Sequence, residues 1–223
     1  MDIADAMADL SVAPEAQEGT ERSNPGQRGM HRAVFLDRDG VLNVDTVHLH
    51  RSDEMRLIDG VPKALSMLRE MDLKIVVVTN QAGIAKGLFD HRDFLEVMAS
   101  IRRDSGLVRP WDRVYFCPFS EEGVVERYVM PHIDRKPNPG MLLRAALEMD
   151  LDLPSSIMIG DHIKDVQAAH RAGCKGVLVM TGKGKDELKK LIEDGVAPGD
   201  ERWPDLMAQD LLTASRAIEE GAI

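Results

Sequence analysis

The chain has 223 residues, 43% of them hydrophobic and 30% charged, which suits a protein with one core of ordinary size. Against 38 Asp and Glu stand 28 Lys and Arg, and the formal charge of -10 argues against a broad nucleic-acid or anionic-membrane surface while leaving room for a local basic pocket. Two cysteines, Cys117 and Cys174, are too few for a disulfide framework, and no apolar run approaches the ~18 residues of a membrane span. A cytoplasmic monomer with no nucleic-acid or membrane partner is expected.

Residues 1–30 lack the basic start and apolar block of a signal peptide. After a short helix expected at Asp2 to Leu10, they turn rich in Pro, Gly, Ser, Glu and Gln, a composition that cannot offset its ordering entropy, so a disordered tail is expected over 1–30 and a single domain over 31–223. Ala33 to Leu36 form an apolar run that stops at charged residues and Gly40, as a buried strand running into a loop does. "VPKALSMLREM" has helical spacing with Pro62 near its start, "LKIVVVTNQAG" is a β-branched strand ending at Thr79 and Asn80, and "HRDFLEVMASIRRDSG" is helical. "RVYFCPF" predicts a strand, "PGMLLRAALEMDL" a helix opened by Pro139, and "SSIMIGDHIKDVQAAHRAG" a strand, a turn and a helix. "KGVLVMTG" predicts another strand and "KDELKKLIEDG" a helix, before a weak strand and helix between Asp205 and Glu219. This alternation predicts an α/β fold: a Rossmann-like parallel sheet with helices on both faces, whose ligands collect at the carboxyl ends of the strands.

The unusual polar residues fall at those ends: Asp37 and Asp39 after the first strand, Thr79 and Asn80 after the second, Asp161 and Asp165 after the fourth, with Arg135 and Lys136 just before a helix. Carboxylates gathered in one cleft repel one another unless a cation lies among them. An all-oxygen set drawn from Asp37, Asp39 and Asp161 favours Mg²⁺ over zinc. Phosphoryl transfer to a carboxylate needs these parts, with Lys136, Thr79 and the backbone after Asp37 gripping the phosphate oxygens. Each motif alone has a bland explanation: a DxD is usually a solvated turn and "GDHIKD" a helix N-cap. Their order at successive strand ends favours the site.

"FLDRDGVLN", "VVVTNQAGIAKG", "RKPNPGM" and "IGDHIKDVQAA" resemble the four motifs of the haloacid dehalogenase (HAD) superfamily, and within it the D-glycero-D-manno-heptose 1,7-bisphosphate 7-phosphatases and the related histidinol-phosphate phosphatases. The resemblance spans about His31 to Gly184. It implies a phosphatase with Asp37 as the nucleophile, Asp39 as general acid and base, and Thr79 and Lys136 stabilising the phosphoryl group. It further implies Mg²⁺ on the Asp37 carboxylate, the Asp39 carbonyl and Asp161, with Asp165 in support. Substrate contacts would come from Asp45, Thr46, Val47, His48, Asn80, Gln81, Ala82, Arg135 and His162. Asp37 and Thr79 lie 42 positions apart, too few for an inserted cap domain beside the expected helix and strand, so a capless enzyme is expected in which loops alone shape the substrate's surroundings.

Relatives in this subfamily often carry a zinc loop, Cys-x-His followed by Cys-x-Cys before the Arg-Lys pair. Here those positions hold Cys117, Phe119, His132 and Asp134, an incomplete ligand set, and Phe119 is expected to pack in place of the metal with help from Val124, Val125, Tyr128 or Met130. "DTVH" and His162 also depart from the subfamily's pattern, which touches the sugar more than the reaction. A phosphoacceptor receiver domain stays open as a signalling alternative, although an acid two residues after the nucleophile would hydrolyse the acyl phosphate such a switch must keep. A phosphomutase is a third reading, one that normally needs a cap.

Overall fold

Six strands end in the polar residues singled out above or lie beside them. A computed structural model describes residues 30–223; the helix expected at Asp2 to Leu10, and all of the expected tail but its last residue, lie outside the described residues. Strands β1 (Ala33–Leu36), β2 (Lys74–Asn80), β3 (Arg113–Cys117), β4 (Ile157–Gly160), β5 (Lys175–Val179) and β6 (Leu206–Ala208) form one sheet in the order β3-β2-β1-β4-β5-β6, with every pair parallel. The order reverses at β1, which opens a crevice between the loops after β1, β2 and β4, the usual ligand position in such sheets.

The two-residue period of the strands sorts their side chains between two cores. Val34, Leu36, Ile75 and Val77 face one layer, with Leu65 and Leu68 of α1 (Val61–Glu70), Phe94, Met98 and Ile101 of α3 (His91–Ser105), and Leu211 and Ala214 of α7 (Leu211–Glu219). Ala33, Phe35, Val76 and Val78 face the other, with Met141, Leu142 and Ala145 of α4 (Gly140–Met149) and Ala168 and Ala169 of α5 (Ile163–Ala172). A third cluster under α6 (Gly184–Glu193) joins Val166, Leu178 and Leu191. Each fully buried aliphatic side chain contributes roughly 1.5–3 kcal/mol, so both helical layers are needed to hold the strand ends in register.

Local signals fix the helix boundaries. Pro62 opens α1, Asp90 and Asp93 form a capping box on α3, and Gly106, at φ 68°, ends it. A one-turn helix, α2 (Ala82–Ala85), and short 3₁₀ turns at Glu126–Tyr128 and Leu153–Ser155 were not expected; each lacks the two turns over which hydrophobic periodicity becomes visible. Between β1 and α1 lies only the loop 37–60, so the sheet carries no inserted cap there. No described helix is long and apolar enough to cross a membrane.

Candidate active site

At the end of β1 the backbone turns sharply, and the main-chain N–H of Asp37 donates to Ile159 O at 3.0 Å, tying it to β4. One Asp37 carboxylate oxygen accepts from the Arg38 N–H at 2.7 Å and meets Lys136 Nζ at 3.0 Å. Lys136, 2% exposed, also contacts Asp165 at 2.6 Å and donates to Val78 O at 2.8 Å. The Asn80 side chain fixes that lysine's backbone, accepting from Lys136 N–H and donating to Lys136 O, both at 3.0 Å. Asn80 thus spends its amide on the lysine.

Asp37, Asp161 and Asp165 each bring a carboxylate oxygen within 4.8 Å of the others, the one such acidic cluster among the described residues. Burial raises Asp37 to about 6: Lys136 pulls down, and Asp165 and Asp39 push up. Burial, with Asp37 and Asp165 nearby, pushes Asp161 up to about 8. Lys136 offsets part of this repulsion at Asp37 and Asp165, and the trio's hard oxygen donors fit a divalent metal beside it. Asp161 is held by the Lys183 N–H at 2.8 Å, and it is closely packed on the side of two glycines: a Cβ on Gly40 or on Gly182 would lie 2.2 or 2.1 Å from its Oδ2.

Asp39 faces elsewhere. Burial would raise its carboxyl, but the adjacent Arg38 guanidinium, at 2.6 Å, and hydrogen bonds from Arg38, Asn43 and Gln81 together hold it below the usual carboxylate range. Arg38 is fully buried, one of its terminal nitrogens has no partner, and its charge lies over the Phe94 ring. Gln81 donates to Asp39 and to Thr79 Oγ1, at 3.2 and 2.9 Å, and so links the first two motifs.

A cleft of about 220 Å³ opens above these groups. Of the residues expected to contact substrate, Asp45, Val47, His48, Asn80, Gln81, Ala82, Arg135 and His162 line it; exposed Thr46 does not. Asp45 accepts the Val47 N–H at 3.0 Å, and Val47 and His48 take left-handed backbone, φ 53° and 61°, which costs a β-branched residue of order 1–3 kcal/mol. His162 caps α5, accepting the Lys164 N–H, while Asp165 accepts the His162 N–H. Gly83, Lys164 and Lys183 also line the cleft and were not singled out from the sequence. Lys183 follows the fifth strand in "VMTGKG", so the strand-end rule applied to the other strands reaches it too.

The loop before Arg135 is held by rings. Phe119 stacks on His132 at 4.2 Å with planes 9° apart, and Tyr128 meets its edge at 5.7 Å. Asp134 pairs with Arg144 at 3.1 Å, and its N–H donates to His132 Nδ1. Of the four expected neighbours, Tyr128 is the one with a ring contact to Phe119, Val125 is half-buried, and Val124 and Met130 are 80% and 42% exposed; the stacked partner is His132, and Phe119 also packs against the core that holds Phe35 and Met141. The stacked imidazole covers one face of the half-buried Phe119 ring.

This geometry has close counterparts. A family model for haloacid dehalogenase-like hydrolases matches residues 44–173, and a HAD-hydrolase-like model matches 133–214. The chain belongs to the haloacid dehalogenase-like hydrolases. It is 45% identical over 156 residues, 68% of its length and 81% of the relative's, to D-glycero-beta-D-manno-heptose-1,7-bisphosphate 7-phosphatase of Photorhabdus laumondii. To the D-glycero-D-manno-heptose-1,7-bisphosphate 7-phosphatase of Thermosynechococcus vestitus it is 38% identical over 192 residues, 82% of this chain and 92% of that one. The D,D-heptose 1,7-bisphosphate phosphatase of B. bronchiseptica, solved with magnesium and phosphate, superposes with a TM-score of 0.73 at 30% identity, over 85% of this chain and 99% of that one. This HAD protein is accordingly a phosphatase, and the receiver-domain alternative lapses.

Proposed function

We propose that this HAD phosphatase removes the 7-phosphate of D-glycero-D-manno-heptose 1,7-bisphosphate, using Mg²⁺ and an aspartyl-phosphate on Asp37, as a cytoplasmic monomer. The observation that carries the reading is the buried Lys136 ammonium clamped between Asp37 and Asp165 beside Asp161, at the floor of a cleft rimmed by Arg135, Lys164 and Lys183. Relatives of this length and identity that act on that heptose bisphosphate support the choice of substrate.

Asp37, Asp161 and Asp165, with the Asp39 carbonyl, would hold Mg²⁺, which when bound offsets the charge of phosphate and carboxylates alike. Lys136 and the Thr79 hydroxyl neutralise and orient the phosphoryl oxygens as an Asp37 oxygen attacks phosphorus and the ester P–O bond breaks. The departing sugar oxygen takes its proton from Asp39, which later removes a proton from the water that hydrolyses the acyl phosphate. Arg38 and Gln81 hold Asp39 as the carboxylate, the form needed for the second half, so its proton-donating turn requires part of that grip to open.

The test is kcat/KM across phosphorylated sugars, histidinol phosphate and nucleotides with Mg²⁺ present. The heptose bisphosphate should rank first, and Asp37→Asn should lower kcat by a factor on the order of 10⁴ or more while leaving the fold intact. A higher rank for histidinol phosphate overturns the substrate; a folded, active Asp37→Asn overturns the covalent route.

A further inference from the structure

Lys183 makes two contacts that no other residue of the cleft combines. It precedes α6, and its main-chain N–H holds Asp161, while its ammonium pairs with Asp45 at 2.9 Å. Asp161 belongs to the carboxylate trio, and Asp45 belongs, with Val47 and His48, to a loop that also lines the cleft. Two residues earlier, the Thr181 hydroxyl donates to Gly40 O at 2.6 Å, which fixes the loop after β5 against the loop after β1.

The Asp45 carboxylate is only 12% exposed and accepts the Val47 N–H, whereas the Lys183 side chain is 55% exposed. An ammonium has three donors, and Asp45 occupies one of them. Lys183 is more than half exposed and lines the same cleft as Lys164 and Arg135, so donors remain for a bound group. Lys136 is buried at Asp37, Asp165 and Val78 O, so its charge acts beside Asp37 and not at the exposed mouth of the cleft. A second phosphate on the substrate would approach the Asp45 carboxylate and be repelled by it unless a cation stood between them.

We propose that Lys183, aimed by Asp45, binds a second anionic group of the substrate and thereby makes the enzyme prefer doubly over singly phosphorylated sugars. This deepens the substrate reading above and rests on it. Lys183 is a specificity-determining residue in this scheme, and Asp45 its positioning partner. A charge-assisted hydrogen bond to phosphate at a half-exposed site corresponds to about tenfold to a hundredfold in discrimination.

The experiment compares kcat/KM for D-glycero-D-manno-heptose 1,7-bisphosphate and the 7-phosphate, with wild type, Lys183→Gln and Lys183→Arg, each checked for an unchanged circular-dichroism spectrum and melting temperature. Lys183→Gln should lower the ratio of the two values at least tenfold, mainly through KM for the bisphosphate, and Lys183→Arg should restore most of it. Equal losses on both compounds would mean that Lys183 merely braces the Asp45 loop, and two values that both stay at wild type would mean that the second phosphate lies elsewhere; either overturns the proposal while sparing the substrate reading. A Lys183→Gln that cannot be folded leaves Lys183→Arg to decide, because an arginine that loses the preference also overturns it. A wild type that releases phosphate from neither compound overturns the substrate reading and this inference together.

Discussion

Asp161 carries most of the electrostatic strain of the site. It is 3% exposed, it is pressed between two glycines, and its carboxyl is pushed up to about 8 by burial and its two acidic neighbours. Asp161→Asn keeps the shape and can still accept the Lys183 N–H, while removing a buried carboxyl that, near neutral pH, folds only by keeping a proton the unfolded chain releases. It should therefore raise the melting temperature of metal-free protein near neutral pH and abolish the further rise expected of wild type with Mg²⁺, alongside a severe loss of kcat. A metal-free variant that melts below wild type near neutral pH would contradict the cost of burying this carboxyl among its acidic neighbours. The acidic residues were legible in the sequence because strand ends with clustered carboxylates are rare. The commitment of Asn80 to Lys136, and of Gln81 to Asp39, was not, since "TNQ" shows donors and acceptors but not which way they turn.

At the scale of elements, the strands and long helices follow from periodicity and caps, and the departures lie in loops. The segment from Cys117 to Arg135 has no regular period; ring stacking organises it, and its key pair, Phe119 and His132, is separated by a distance in sequence that no local rule spans. Arg135 Nη1 donates to Phe119 O at 3.2 Å, so the rings and the arginine move together. Phe119→Ala removes a half-buried ring and should cost about 1–3 kcal/mol, below the roughly 3–5 of a fully buried Phe. The same variant should raise KM and lower kcat together, because Arg135 loses its setting at the rim of the cleft. Denaturant melts and steady-state kinetics on one preparation check both effects, and unaltered kinetics in a destabilised variant would separate the loop from the site.

For the whole molecule, four chain segments far apart in sequence share one crevice because the sheet order reverses at β1. Alternating strands and helices announced that sheet; the order of its strands follows from handed crossovers and packing, which composition does not display. Gathering acids at one edge makes stability depend on pH. Asp37 at about 6 and Asp161 at about 8 both lie above the ordinary value of 3.8, so in metal-free protein the native state keeps protons that the unfolded chain has already released. Their contribution to stability is therefore present at low pH and lost as pH rises through these values. The melting temperature of chelator-treated protein should fall between pH 5 and roughly 8.5, and Mg²⁺ should flatten the slope. Mg²⁺ at a hundred times its dissociation constant adds about 2.7 kcal/mol, which for a domain of this size is roughly 5–10 °C. A chelated protein whose melting is level across that range would remove the coupling.

The two glycines that press on Asp161 also act as a gauge. Gly40 and Gly182 take backbone at φ 79° and 53°, and neither position has room for even a methyl group beside the carboxylate. A carboxylate walled in this way cannot retreat to suit a larger ion. Mg²⁺ asks for oxygen ligands at about 2.0–2.1 Å and Ca²⁺ for about 2.3–2.6 Å, so the site should discriminate by ionic radius. Calcium should bind and compete while supporting little turnover, an inhibition visible as a Mg²⁺-reversible loss of phosphate release. Gly182→Ala, which crowds the acid further, should weaken binding of both ions, so that one methyl group's worth of space would govern how tightly a divalent cation is held.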